Sequence, residues 1–194
     1  MKPLAVHGGA AGTVFWLSVG GWAAFELVLA LRTRGGGEQG RDRSFVPLTI
    51  SVLAGLGLGT LAAHAGDLTL PGPGWWPLAL GLVVFASGLA LRAWAVHELG
   101  RFFKFTVVVQ ADHRVVDTGP YRLIRHPSYT GLLVAALGLG IAFGTWLSIP
   151  ACVLPPLIAF SIRLVYEERV LARELGEPYR AYMRHTRRLV PGLW

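Results

Sequence analysis

The densest set of side chains able to do chemistry runs from Gln110 to Gly131: QADHRVVDTGPYRLIRHPSYTG. Within it, Arg125-His126-Pro127 opens an apolar run. Proline suits the first turn of a helix, where its missing N–H leaves no bond unmade. It also biases the residue before it away from helical dihedrals. His126 is therefore expected at a helix entrance, beside amide groups that attract anionic ligand atoms. A second polar set, Arg163, Glu167 and Glu168, follows the next apolar stretch. Arg163 and Glu167 are four apart and share one face of a helix. An ion pair at an interface would satisfy that spacing with no further role. Glu168 reads as a solvated or paired structural residue.

For residues 126–129 to meet 163–168, the chain between them must fold back. Stretches 127–144 and 147–165 are apolar and broken only at Gly144-Thr145-Trp146. So short a break predicts a tight helical hairpin. Its second arm carries Pro150, Pro155 and Pro156, which kink a membrane helix and free backbone carbonyls that neighbours must cover. Three further apolar stretches come first: Ala11 to Leu31, Val46 to Ala65, and Trp75 to Val96, with Trp75 and Trp76 as interfacial anchors. Each is close to the ~20 residues that cross a hydrocarbon core.

With 53% hydrophobic and only 15% charged residues, the chain has too little polar surface to cover a soluble domain. Its polar residues cluster at 32–43, 97–126 and 163–188. The fold class predicted is all-α and polytopic: five transmembrane helices, a C-terminal helical hairpin, and a tail helix over 163–185 striped with Leu164, Leu171 and Leu175. Residues 1–96 then form three N-terminal spans, and 97–194 the half that does chemistry.

The net charge of +7 is mostly arginine. Loop 32–43 carries Arg32, Arg34, Arg41 and Arg43, whereas loop 66–74 and the hairpin turn carry no Lys or Arg. Segment 97–126 has Arg101, Lys104, Arg114, Arg122 and Arg125, and the tail from 163 is again basic. The positive-inside rule then puts the N-terminus outside and the C-terminus in the cytoplasm. Tail residues Arg184, Arg187 and Arg188 are expected to face anionic lipid headgroups. Without a basic run interleaved with aromatics outside the apolar segments, nucleic-acid binding is disfavoured. The first apolar stretch is too long for a simple signal peptide.

Some features carry less. Glu26 and Arg92 lie inside apolar spans, where charges are functional candidates, yet each is within two turns of a cytoplasmic end and can snorkel. His97 reads as an interfacial residue, and no ligand spacing supports a metal. Cys152, the single cysteine, reads as a small buried apolar residue. Gly55, Gly57 and Gly59 mimic a nucleotide-binding glycine loop, but without a strand-to-helix switch they read as sites of close helix approach, like Gly138 and Gly140.

The order Gly119-x-Tyr121-x-x-x-Arg125-His126-Pro127-x-Tyr129-x-Gly131, a hairpin, Arg163-x-x-x-Glu167-Glu168, then Gly176-Glu177-x-Tyr179-x-x-Tyr182 resembles the isoprenylcysteine carboxyl methyltransferase family. That family sits in a wider group of membrane methyltransferases that includes phospholipid methyltransferases. The resemblance covers about 95–190. It implies S-adenosylmethionine as methyl donor, bound at the cytoplasmic edge. It implies cofactor contacts from Gln110, His113, Arg114, Val115, Val116, Tyr121, His126, Pro127, Ser128, Tyr129 and Glu167, and places Arg163 near the acceptor carboxylate. The stretch between Gln110 and Gly119 is shorter than in the animal members. The chemistry is compatible: Glu167 suits an amine or ribose hydroxyl, and Tyr121 and Tyr129 offer π-faces. An ionised carboxylate acceptor needs no general base, only alignment and exclusion of water. Arg163 would orient it as a fork-shaped donor.

The implied acceptor is a lipophilic molecule arriving from the bilayer, a prenylcysteine carboxylate by resemblance. A phospholipid amine, a lipophilic phenol or a thiol would use the same donor site. A non-enzymatic transporter or assembly subunit would explain the hydropathy but not the paired motifs. A transporter would also be expected to show repeats and broken helices, and the sequence shows neither.

Overall fold

The computed structural model describes residues 4–7, 9–33, 45–65, 68–105 and 114–192. Its helices are α1 (Leu4–His7), α2 (Gly9–Thr33), α3 (Phe45–Ala65), α4 (Trp76–Leu99), α5 (Pro127–Ala142), α6 (Ser148–Glu174) and α7 (Glu177–His185). Short 3-10 turns lie at Gly100–Phe102 and Gly119–Arg122. Among the described residues, β-pairing is confined to two isolated bridges, Thr69 with Thr145 and Ile124 with Arg187.

Helices α2, α3, α4 and α6 are long and apolar enough to cross a membrane. Helix α5 has only 16 residues, about 24 Å at the α-helical rise, against a core of ~30 Å. The predicted fourth apolar stretch, 127–144, is thus helical but short. The outward faces are apolar too: Leu17, Leu61, Val83 and Ile162 are each about two-thirds exposed or more. A water-soluble protein of this size does not leave such a belt uncovered. This is the surface of an integral membrane protein.

Glycines set how closely the helices approach. A Cβ on Gly138 would lie 2.3 Å from the backbone nitrogen of Phe85, and one on Gly88 2.4 Å from that of Ala135. Helices α4 and α5 therefore meet backbone to backbone. A Cβ on Gly55 would lie 2.8 Å from the Cys152 carbonyl oxygen, so α3 is seated on α6 in the same way, and one on Gly59 would run into the Cys152 sulfur at 2.4 Å. Gly57 faces open space. The glycine pattern is a packing device, and Cys152 is buried in the core beside Phe15, Phe85, Leu139 and Phe143.

The α5–α6 hairpin turns at Gly144, whose φ of 74° suits glycine. The turn pairs with the α3–α4 loop: Leu70 N–H donates to Gly144 O and Trp146 N–H to Leu68 O, both at 2.9 Å. The two loops poor in basic residues therefore close the same end of the bundle. At the other end α6 runs unbroken through Pro155 and Pro156 to Glu174. The expected single tail helix is instead two pieces, because Gly176 (φ 64°) turns the chain into α7.

Candidate active site

The 3-10 turn and the entrance to α5 are held by the chain that follows α7. Arg125 N–H donates to Arg187 O at 2.7 Å and His126 N–H to Arg188 O at 3.0 Å. Arg187 N–H returns a bond to Leu123 O, and Thr130 Oγ1 donates to Leu189 O at 2.8 Å. Two amides that the sequence leaves for a ligand at the helix entrance are thus taken by backbone carbonyls. Tyr182 adds a hydrogen bond from its hydroxyl to Tyr121 O at 2.7 Å. Burial lifts the Tyr121, Tyr179 and Tyr182 phenols above their ordinary range, so they remain neutral hydrogen-bonding groups at physiological pH.

Glu168 is the electrostatic centre of this end. It accepts from Arg125 Nε at 2.7 Å and Arg188 Nε at 2.9 Å, and its side chain is 4% exposed. Its expected structural pairing is therefore met by two arginines. Arg188 points inward to Glu168 in place of the expected headgroup role, while Arg184 pairs with Glu177 on the surface at 2.9 Å. His126 Nε2 is buried 3.4 Å from Glu168 Oε1 and, among the described residues, makes no hydrogen bond of good geometry.

Arg163 and Glu167 do face one another, but across Tyr129. The Tyr129 hydroxyl donates to Glu167 Oε2 at 2.9 Å and accepts from Arg163 Nε at 2.9 Å. Arg163 Nη2 also donates to Phe105 O at 2.5 Å. The Tyr129 ring lies against His126 and Phe160, at centroid distances of 5.8 and 5.1 Å.

A cavity of about 620 Å³ joins these groups to the apolar helices, within the range of small-molecule sites. Arg114, Val115, Val116, Tyr121, His126, Ser128, Tyr129 and Glu167 line it, together with Trp22, Leu27, Val52 and Leu56 of α2 and α3. Pro127 is buried in the first turn of α5. Arg163 is not among the described lining residues; it backs Tyr129. Gln110 and His113 lie outside the described residues. Among the described residues, no three His, Cys, Asp or Glu side chains converge as metal ligands would.

The structure also adds lining residues that the sequence leaves unassigned. Arg92, read singly as a snorkelling residue, is 3% exposed and pairs with Glu26 of α2 through both Nε and Nη2. Phe103 and Phe105 stand beside its guanidinium at 5.8 and 5.9 Å. The intramembrane charges were the available signal for the pair; nothing in the sequence marks the two phenylalanines.

Known proteins match the same elements. A model of the phospholipid methyltransferase family matches residues 76–178. A probable protein-S-isoprenylcysteine O-methyltransferase of Oryza sativa subsp. indica is 34% identical over 110 residues, 56% of this chain and 58% of the relative. Protein-S-isoprenylcysteine O-methyltransferase B of Arabidopsis thaliana is 30% identical over 119 residues, 60% of each chain. The solved structure of a eukaryotic intramembrane Ras methyltransferase, isoprenylcysteine carboxyl methyltransferase, superposes with a TM-score of 0.57 at 25% identity, over 79% of this chain and 54% of that one. The chain spans just over half the length of the curated relatives it matches. The matched segment takes in the Arg125-His126-Pro127 entrance, the hairpin and the Arg163–Glu168 set, and on it the chain belongs to the phospholipid methyltransferase family, where it is most like the isoprenylcysteine carboxyl methyltransferases named here.

Proposed function

We propose that this protein transfers a methyl group from S-adenosylmethionine to the carboxylate of a lipophilic, prenylcysteine-type acceptor at the cytoplasmic face of a membrane. The observation that carries this is one cavity that holds both apolar and polar lining residues. Apolar residues of α2 and α3 and the polar groups of Tyr121, His126, Ser128, Tyr129 and Glu167 line the same space. A reaction between a lipid-soluble and a water-soluble partner needs one chamber that touches both phases.

The polar end suits the donor. Glu167 is one-quarter exposed and lines the cavity, as does His126, whose Nε2 lies 3.4 Å from Glu168 Oε1. When bound, S-adenosylmethionine supplies a methyl group activated by a sulfonium, which an ionised carboxylate accepts without a general base. Glu167 holds the donor amine or a ribose hydroxyl. Tyr129, fixed between Arg163 and Phe160, sets the orientation of Glu167. Arg114, Val115, Val116, Tyr121 and Ser128 close the walls and keep water out, and Gln110 and His113 belong to the same donor set. Arg163 then acts through Tyr129 and Glu167, as a positioning residue. In the membrane α2, α3, α4, α5 and α6 make five crossings, with the N-terminus outside and the basic end in the cytoplasm. Helix α5 spans by sharing the turn at 143–147 and by local thinning of the bilayer.

The test is transfer of a labelled methyl group from S-adenosylmethionine, screened over lipophilic acceptors in membranes. A carboxylate acceptor gives an alkali-labile methyl ester. A base-stable product rules out the carboxylate, and recovery of the label in a methylated phospholipid amine identifies the second reading, which the match to the phospholipid methyltransferase model favours. Absence of S-adenosylmethionine binding by the purified protein overturns both.

A further inference from the structure

Glu26 lies outside the family-matched segment, in a helix whose other ties to the bundle include the aromatic contacts of Trp22 with Phe85 and Phe15 with Phe143. Its carboxylate nevertheless takes both fork donors of Arg92 and the Trp22 indole N–H at 3.2 Å. The remaining Arg92 nitrogen, Nη1, donates to Ser128 Oγ at 2.6 Å. Trp22, Glu26, Arg92 and Ser128 all line the cavity, and Ser128 adjoins Tyr129. The guanidinium therefore stands between the apolar wall and the donor end.

A charge pair inside apolar spans is expensive, and hydrophobic residues of similar volume would serve packing as well or better. The two-pronged approach of Glu26 is the geometry by which a guanidinium receives any carboxylate. Glu26 is also 22% exposed while Arg92 is 3% exposed. The acid is the more accessible of the two and lines the cavity, so of the pair it is the acid that can turn away.

We propose that Glu26 is a resident stand-in for the acceptor's carboxylate. It neutralises Arg92 while the acceptor site is vacant, and it yields the two fork donors when an acceptor carboxylate arrives along the apolar wall. Arg92 thereby seats the acceptor's anionic group one residue from Tyr129, and Glu26 sets how readily an anionic acceptor is admitted. This rests on the carboxylate-acceptor reading above.

The experiment uses the full chain in lipid nanodiscs. The probes are an S-farnesyl N-acylcysteine with a free carboxylate and the corresponding carboxamide, which offers no charge. Removing the competing charge with Glu26→Gln is expected to lower the KM for the carboxylate about tenfold. The carboxamide's inhibition constant and the S-adenosylmethionine Kd should move less than about twofold. Arg92→Lys keeps the charge but loses the fork, and should raise the carboxylate KM about tenfold with the same S-adenosylmethionine Kd. If Glu26→Gln leaves the carboxylate KM unchanged, or raises it while lowering the melting temperature, Glu26 is only a tie between helices and the inference falls alone. If the wild-type chain methylates amines or phenols but no carboxylate, the acceptor reading fails and takes the inference with it.

Discussion

Tyr129 stands between the two ends of a four-residue helical spacing, donating its hydroxyl proton to Glu167 while accepting one from Arg163, each across 2.9 Å. The phenol converts what the sequence offers as a simple ion pair into a relay. Arg163 and Glu167 themselves approach only to 3.9 Å. Replacing Tyr129 by Phe keeps the ring against His126 and Phe160 but leaves Glu167 unoriented. Loss of a hydrogen bond to a charged group is expected to reduce kcat/KM about tenfold to a hundredfold. Steady-state kinetics with an unchanged circular-dichroism spectrum checks this; full activity in Tyr129→Phe would remove the relay from the mechanism.

Glu167 and His126 should act on the donor. Glu167→Gln retains the shape and loses the charge, and is expected to weaken S-adenosylmethionine binding about tenfold or more. His126→Ala should weaken it in the same direction. Titration calorimetry on the purified protein reads both, and unchanged affinity in both variants would place the donor elsewhere.

Glu168 should matter for stability more than for binding. Its removal strands Arg125 in a buried setting, so Glu168→Ala is expected to cost about 3–5 kcal/mol. Arg188 is 31% exposed at its side chain, and Arg188→Ala should cost closer to about 1 kcal/mol. Thermal unfolding in detergent would order the two, and equal melting temperatures would contradict a central role for Glu168.

The glycine contacts offer a paired test. A methyl at position 138 meets the Phe85 backbone at 2.3 Å, whereas one at position 57 meets nothing within 4 Å. Gly138→Ala should lose about 1–3 kcal/mol as α4 and α5 are forced apart. Gly57→Ala should change stability by less than about 0.5 kcal/mol. Comparable losses in both would mean that interhelical clearance does not govern these positions, since helix propensity alone favours alanine at both.

The helices were legible because apolar blocks and proline at a first turn are local signals. Val46 to Ala65 became Phe45–Ala65, and Trp75 to Val96 became Trp76–Leu99. The hairpin was legible too, from a break too short for anything else. The meeting of the Arg125–Tyr129 and Arg163–Glu168 segments at one edge followed from it. Long-range pairing was not legible. Glu26 and Arg92 are 66 residues apart, and each alone has the pattern of a residue reaching for the interface. The backbone bonds between 123–126 and 187–188 leave no periodicity in either stretch. Gly176 was visible, but only its left-handed φ shows that it divides the tail helix.

Those backbone bonds also make the polar end depend on the tail. The Arg125 and His126 amides and the second arginine on Glu168 are supplied by Arg187 and Arg188, some sixty positions downstream. A chain cut after α6 would keep every long apolar helix and lack both of these arginines. The chamber's polar end therefore rests on residues outside the long apolar helices, and a chain stopped before Arg187 would leave the Arg125 and His126 amides and one Glu168 oxygen without these partners.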